Sequence, residues 1–565
     1  MDANIHFVPV IPAKAGIHRA QTLILRRIIF FILLLMTAIG LSVLMTSVLV
    51  PGGWTISKIA ILIAFIGVAP WIGVCVGNAI PGLLILLFAR HPARAVLPVD
   101  GDFESTPIIA RTAITITVRN EDMQPVLVNL QRLLDGLAEY GDCFAAFILS
   151  DSDAARAPVE EAAIAAFPLP IRYRRREDNT GFKAGNVMDF CDHHADGFEL
   201  ALMLDADSDI SAAAVVRLVR IMQAAPCMGI VQHLTIGRPA AMALPRLFQF
   251  GMRAGMRVWA TGQAWWQAAD GPYWGHNAVI RIAAFRKHAR LPKLPDGSLI
   301  LSHDQVEAAR LTGAGWGVAV WASEDGSREG NPPALPEFLH RDARWLAGNL
   351  QYIHLLRSPG FSWMGRWQLV QAILLMTGAP LYTLMFFLAG ISAATGGADS
   401  FPRARMLVLT IAWTLAIYAP KLCGYAQVLL EPRERRRYGS GARFALGAVC
   451  EFIFTLLLDA ITQVSKTLAA IRFVLDARPA WRPQNRADRG VGWHEAARML
   501  WPHTLFGAAV FALLAWSSWV AALWALPFAG GLLVAIPFCV VTSSPLVSAW
   551  LRDRGIAAIP EEISE

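Results

Sequence analysis

Asp205, Asp207 and Asp209 stand at alternate positions in "LMLDADSDI" (residues 202–210), directly after an apolar run. Two carboxylates so placed, with little positive charge in the adjoining sequence, repel each other unless a cation lies between them. A hard divalent ion, Mg2+ or Mn2+, suits the position. It takes oxygen ligands and is held by one or two carboxylates, with water and a substrate's phosphates completing its shell. Asp205 and Asp207 are therefore the candidate metal ligands. Asp209 is expected to cap the helical pattern "SAAAVVRL" that follows. A D-x-D alone is also what a solvated acidic loop looks like, so its meaning depends on its position and its company.

The position is informative. Between residues 97 and 359, short runs such as "TAITITV", "CFAAFILS" and "LALMLDA" alternate with helical patterns such as "MQPVLVNLQRLLDGLAEY" and "SAAAVVRLVRIMQAA". That alternation predicts βαβ units and a mainly parallel sheet. Sheets of this kind bind ligands at the carboxyl ends of their strands. Glu121 in "VRNED", Asp151 in "LSDSD", and Asp205 with Asp207 all fall at such ends.

The remainder of the chain has a different character. Only 16% of the 565 residues are charged and 55% are hydrophobic, against roughly a quarter charged in soluble domains; the mean hydropathy is +0.44. Stretches at 28–50 and 59–88 have the length needed to cross a bilayer core. Arg26 and Arg27 precede the first and Arg90 and Arg94 follow the second, with only Lys58 between them, which predicts a cytoplasmic N-terminus and a cytoplasmic domain after Arg90. The first stretch is too long for a signal-peptide core and reads as a retained anchor. Apolar stretches resume at 367–391, 406–430, 505–526 and 531–547, giving six spans in all, while 444–474 reads as an interfacial or re-entrant helix. The expected organisation is a cytoplasmic N-terminus (1–27), two transmembrane helices (28–90) and a cytoplasmic α/β domain (97–359). An interfacial segment with two transmembrane helices (360–430) and a basic cytoplasmic segment (431–502) follow, then two more transmembrane helices (503–547) and a cytoplasmic tail (548–565). The net charge of +7 comes from Arg and Lys clusters beside apolar segments. They orient the chain in the lipid bilayer and do not indicate nucleic acid. Seven cysteines without a CxxC pair read as small buried hydrophobes.

The company of the D-x-D is a set of motifs in fixed order: "RNED" (119–122), "LSDSD" (149–153), "KAGN" (183–186), "LDADS" (204–208), "YWGHNA" (273–278), "LSHDQVEA" (301–308) and "RDARW" (341–345). Together they resemble a processive family 2 glycosyltransferase, whose α/β catalytic domain has the GT-A fold, here inserted between transmembrane segments. The wording "LSHD.VEA", "AGWGV" and "RD.RW..GN" is most similar to the glucosyltransferases of osmoregulated periplasmic glucan synthesis. The similarity covers the α/β domain throughout and the flanks loosely, including "WRPQNRADRGVGWHEA" and the closing "IPEEI".

The resemblance implies a role for each matching residue. Asp151 falls on the family's aspartate for the nucleoside end of a UDP-sugar, and Glu121 and Lys183 on neighbouring donor contacts. Asp205 and Asp207 match the D-x-D that carries Mg2+ or Mn2+ on the diphosphate. Asp304 matches the catalytic base. A carboxylate within hydrogen-bond reach of the acceptor hydroxyl removes its proton as that oxygen attacks the anomeric carbon, and one such displacement inverts configuration. As a plain helix residue, Asp304 would simply cap "QVEAARL". "RDARW" resembles QxxRW with Arg341 at the glutamine position. Arg344 is then a diphosphate contact and Trp345 a stacking face for the acceptor sugar. "YWGHNA" falls at the acceptor loop, which makes Trp274 and His276 acceptor candidates. The implied partners are UDP-glucose, a growing β-1,2-glucan, the bacterial inner membrane and periplasmic glucan-processing proteins. The same residues would also serve another family 2 synthase, of the cellulose, hyaluronan or lipid-glycosyltransferase type. A non-catalytic membrane scaffold or transporter would not need the complete motif set.

Other features carry less. "CDHH" (191–194) cannot converge on a metal, because adjacent helical side chains point different ways. His303 departs from the commoner Thr-Glu-Asp wording and is given no proton-transfer role. Lys421 and Asp459 are charges in or beside apolar runs, and are expected near a glucan passage.

Overall fold

The computed structural model describes residues 13–397, 402–475 and 486–563. The ends of the expected N-terminal and C-terminal segments, and residues 476–485 of the basic segment, lie outside it. Ten strands occur among the described residues. They are β1 (Thr112–Val118), β2 (Phe144–Ser150), β3 (Ile171–Arg175), β4 (Leu200–Asp205), β5 (Asp209–Ile210), β6 (Met228–His233), β7 (Ile236–Gly237), β8 (Ala278–Arg281), β9 (Gly317–Trp321) and β10 (Ser327–Glu329).

Seven of them form one sheet in the order β3-β2-β1-β4-β8-β6-β9, and β5, β10 and β7 form a smaller one. β1, β2, β3 and β4 run parallel, as do β6 and β9, and β8 is antiparallel to both of its neighbours. This is the mainly parallel sheet that the sequence predicts. The strand period of two sorts its side chains onto two faces. Ile114, Ile116, Val118, Ile148, Leu202 and Leu204 enter one core, while Ala113, Phe147, Leu149, Ala201 and Met203 enter the other. With helices over both faces of the central strands, β1, β2 and β4 are almost wholly apolar or β-branched, their buried threonines bonding to backbone carbonyls, so these strands read as near-continuous hydrophobic runs. Polar residues resume where cover ends, at the carboxyl ends.

Among the described residues five helices are long and apolar enough to cross a membrane: Gln21–Leu49, Ile56–Phe88, Trp363–Gly396, Gly441–Val474 and Trp493–Ser517. Two further pairs are bent, Arg403–Ile417 with Ala419–Leu430 by 73° and Trp519–Leu533 with Ala535–Thr542 by 58°. The first was expected as one span at 406–430, whereas the second straddles the two spans expected at 505–526 and 531–547. Pro420 and Pro537 sit in the first turn after each break, where a missing N–H and ring crowding prevent the helix from continuing. The stretch expected at 505–526 is likewise divided, since its helix ends at Ser517. Gly441–Val474 is a continuous 34-residue helix, longer than its apolar core suggests. It is tied to the α/β domain near both ends, where Phe444 packs on Phe250 with ring centroids 5.2 Å apart and Lys466 pairs with Asp342 at 3.0 Å.

Two helix-cap expectations are corrected. Asp209 lies in β5 and pairs with Arg132 at 3.2 Å, and the cap is Ser211, whose side chain accepts from the Ala214 N–H. Asp304 is the first residue of the helix Asp304–Gly313, and His303 occupies its cap position. Ser211 takes the extended backbone that a cap requires, whereas His303 is already helical and makes no side-chain cap bond.

The last described turn, Pro560–Ile563, docks on the helix Ala243–Gln267. Glu562 accepts from both Nη atoms of Arg246 at 2.7 and 2.6 Å, and Glu561 pairs with Arg253 at 2.5 Å. The side chains of Arg246 and Glu562 are only 2% and 6% exposed. Removing one partner of so buried a pair costs about 3–5 kcal/mol. Glu562→Ala is therefore expected to lower the thermal unfolding midpoint of the detergent-purified protein clearly, and Glu561→Ala, with a more exposed carboxylate, to lower it less.

Candidate active site

The carboxyl ends of β2, β1 and β4 lie side by side, and the polar residues that follow them meet there. Thr117 and Asp205 are register partners, and the Asp151 N–H donates to the Val118 carbonyl at 2.9 Å. The backbone at this edge is unusual. Asn120, Phe182 and Asn277 have φ of 58°, 52° and 48°, and Gly275 has φ 88°. Left-handed conformations of non-glycine residues are costly and persist where the surroundings enforce them. Here they adjoin Glu121, Lys183 and His276.

Lys183 is the hub. Its ammonium is ion-paired with Asp205 and donates to the Gly275 carbonyl at 2.8 Å. Gly275 in turn is packed by the base candidate, because a Cβ built on it would lie 3.5 Å from Asp304 Cβ and 3.9 Å from His303 Cε1. The expected donor and base residues are thus joined through one turn. Gly275→Ala would force a side chain into left-handed backbone against Asp304, and is expected to lower turnover about tenfold, on about 1–2 kcal/mol of strain at the site. A steady-state assay checks this.

Asp207 pairs with Arg486 Nε at 3.3 Å, and Arg486 also donates to Glu121 at 2.9 Å. His276 faces Glu329 on β10 at 3.3 Å. Burial would raise the Asp205 carboxyl, but Lys183, with His276 and Arg486, outweighs it and holds Asp205 well below the usual carboxylate range. Burial wins at Glu121 and Glu329. Both are raised, against Arg486 at the first and His276 at the second, with Asp207 adding repulsion in each case. Asp304 is raised by burial as well, partly opposed by His303.

Other expected residues have partners of their own around this cluster. Both oxygens of Asp151, a buried side chain, are bonded by Arg176 at 2.8 and 2.7 Å, while its carbonyl accepts from Asn179 at 2.8 Å. On the helix Leu335–Leu350, Trp345 is 49% exposed and Arg341 stacks over it at 4.6 Å. Arg344 is pulled below the usual arginine range by burial and by the nearby charges of Arg341 and Arg486. Trp274 packs among Val96, Leu234 and Val320, and its N–H donates to Gln232. Among the described residues no three His, Cys, Asp or Glu side chains converge as a complete metal cage.

Sequence reasoning did not assign Arg176, Arg486, Glu307 or Glu329. Glu307 lay within the quoted "LSHDQVEA", one helical turn after His303. Arg486 lay within the quoted "WRPQNRADRGVGWHEA", but nothing there pairs it with Glu121, 365 positions away, and Arg176 and Glu329 lay outside the quoted motifs.

The family described as "Glycosyl transferase family group 2" matches residues 200–421. The chain is 33% identical over 557 residues to the glucans biosynthesis glucosyltransferase H of Xanthomonas campestris pv. campestris (strain B100), covering 94% of this chain and 86% of that protein. It is 32% identical over 581 residues to the protein of the same name from Bradyrhizobium diazoefficiens, covering 97% and 76%. Among solved structures it is similar to a mannosyltransferase from Pyrobaculum calidifontis in complex with GDP-Man and Mn2+, at 13% identity and a TM-score of 0.42, covering 72% of this chain and 99% of that one.

Proposed function

The chain belongs to the glucans biosynthesis glucosyltransferase H family of group 2 glycosyltransferases, and from that premise we propose that it elongates a β-1,2-linked glucan from UDP-glucose by inverting transfer. It is a multi-pass membrane glycosyltransferase of glucan synthesis with a GT-A fold. The observation that carries the proposal is the linkage of Lys183, Asp205 and Gly275 with Asp304 packed on the same turn, which supports reading the ion pair and the neighbouring carboxylate as the donor and acceptor sides of one site.

In the proposed reaction an acceptor hydroxyl oxygen forms a bond to the anomeric carbon as the bond from that carbon to the diphosphate breaks. Asp304 takes the hydroxyl proton. Lys183 and Arg344 offset charge that appears on the leaving diphosphate. Trp345, beside Arg341, offers a face to the acceptor ring. Trp274 and His276 lie on the acceptor loop, His276 oriented by Glu329. Glu121 and Asp151, held by Arg486 and Arg176, border the nucleoside side.

The donor set fits a divalent cation. Asp205 and Asp207 supply hard oxygen ligands and too few of them to form a cage, which suits Mg2+ or Mn2+ whose shell is completed by water and diphosphate. Bound there, such an ion would supply Lewis-acid stabilisation of the departing charge. Arg486 provides the counter-charge of Asp207 in this structure. Arg486→Gln is expected to tighten Mn2+ binding to the donor-free protein about tenfold, by removing a competing cation worth roughly 1.4 kcal/mol; Mn2+ titration followed by paramagnetic resonance measures it.

Export of the product is part of the same reading, with the α/β domain on the cytoplasmic face of the inner membrane. A cavity of about 260 Å3 between the apolar helices is lined by Lys58, Trp413, Tyr418, Asp459, Gln463 and Trp524 among others. The lining is mostly aliphatic, and Trp413, Tyr418 and Trp524 are among the rings on which a sugar face could stack. Asp459 lines it with its carboxylate on the Tyr418 hydroxyl at 2.7 Å, whereas Lys421 pairs with Glu451 at 2.5 Å and is not among the lining residues. Asp459 and Gln463 share their helix with Lys466, which grips the helix of Arg344 and Trp345 through Asp342.

The test is to incubate the full chain in lipid nanodiscs with UDP-glucose and Mg2+, and to follow UDP release and product linkage. Release of UDP with 2-linked glucose is the expected result. Consumption of a different nucleotide sugar, or another linkage, would overturn the donor and product assignment.

A further inference from the structure

His303 has no role in the reaction described above, yet its setting is specific. It occupies the cap position of the helix Asp304–Gly313, immediately before the base. Its Nδ1 lies 2.9 Å from Glu307 Oε2, one turn further on, and Glu307 is 2% exposed. Its Cε1 is directed at Gly275, as is the carboxylate of Asp304. A cation at a helix N-terminus opposes the helix dipole, so a charged imidazole here needs a dedicated counter-charge. Glu307 is that counter-charge, and it has no other ion-pair partner among the described residues.

We propose that His303, clamped by Glu307, is a positioning residue for the transfer reaction: its imidazolium edge beside Asp304 keeps the base ionised and aimed at the acceptor hydroxyl. This rests on the reading of Asp304 as the base. The surroundings favour the arrangement. Burial lowers the His303 imidazolium, but Glu307 and Asp304 more than offset it, and the net direction is upward. The groups facing the pair are Lys183, which works against His303 and assists Asp304, and two phenols, Tyr273 and Tyr352, which burial keeps neutral. Tyr352 donates to the Ser302 carbonyl at 3.0 Å and fixes the residue preceding the pair. The sign follows. The base acts as carboxylate, burial raises its pKa, and the neighbouring cation brings it back down. Loss of that cation must move the acid limb of activity to higher pH.

The test uses the full chain in nanodiscs with UDP-glucose, the pH profile of kcat/KM and the donor KM. His303→Gln is expected to shift the acid limb upward by about one pH unit, with turnover recovering at higher pH and the donor KM changed by less than about twofold; Glu307→Gln, which releases His303 but also removes an anion that raises Asp304, is expected to shift it less than His303→Gln does. His303→Lys, which restores a cation, is expected to return the limb toward its native position. A uniform loss of rate with an unmoved limb, a change confined to KM, or a limb equally displaced in His303→Lys overturns the proposal. Asp304→Asn separates the two layers. If it is inactive while the limbs of the other variants stay in place, only the role of His303 fails; if it is fully active, the assignment of the base fails as well.

Discussion

Asp304→Asn is expected to reduce glucosyl transfer about a thousandfold at every pH, within the range of about 10² to 10⁴ that a positioned base contributes. The substitution keeps the shape and hydrogen-bonding reach of the side chain and removes only its capacity to accept the acceptor proton. Donor binding is expected to survive, because Lys183, Asp205 and Arg344 are untouched, so a titration with UDP should match the native protein. Burial also sets where the native enzyme fails. Asp304 is raised above the ordinary carboxylate value, so, with Asp304 as the proposed base, activity is expected to fall on the acid side at a higher pH than an exposed aspartate would give. An Asn variant with native turnover, or one that no longer binds UDP, contradicts the assignment.

Asp205→Asn is expected to be equally severe, and for two reasons. It removes an oxygen ligand from the candidate cation site, and it strands Lys183, whose remaining bond is to the Gly275 carbonyl. An ammonium deprived of its carboxylate in a partly buried site is a liability of several kcal/mol, enough to displace the turn against which Asp304 packs. A loss of about a thousandfold in kcat/KM is expected, with a rise in donor KM that Asp304→Asn lacks. The double variant should be far less damaged than the product of the two, since both disable one unit. Multiplicative losses would show that donor and base ends are independent.

The catalytic domain was largely legible because its strands are covered on both faces. "TAITITV" marks β1 residue for residue, since seven β-branched or small apolar positions in a row have few other uses. Asp205 was legible for the opposite reason, as charge placed where cover ends. The helix breaks at Tyr418 and Val534 were not anticipated, because hydropathy averages over a proline that redirects the chain by 73° or 58°. Asp209 was assigned to the wrong task because Ser211, two residues on, offers a shorter reach to the same N–H groups. The partners of the site residues were the least accessible. Arg176 is 25 positions from Asp151 and Arg486 is 365 from Glu121, and nothing in a local pattern says which arginine will arrive.

The union of Arg246 with Glu562 joins residues 316 positions apart. At the roughly 5–20 residues per second of synthesis, about 15 to 60 s separate the emergence of the guanidinium from that of its carboxylates. During that interval the arginine must remain hydrated or lean on lipid phosphate, and the helix that carries it cannot settle into its dry seat. Maturation of the region therefore waits on synthesis of "IPEEI", so that the Pro560–Ile563 turn is a late fastening of a helix made much earlier.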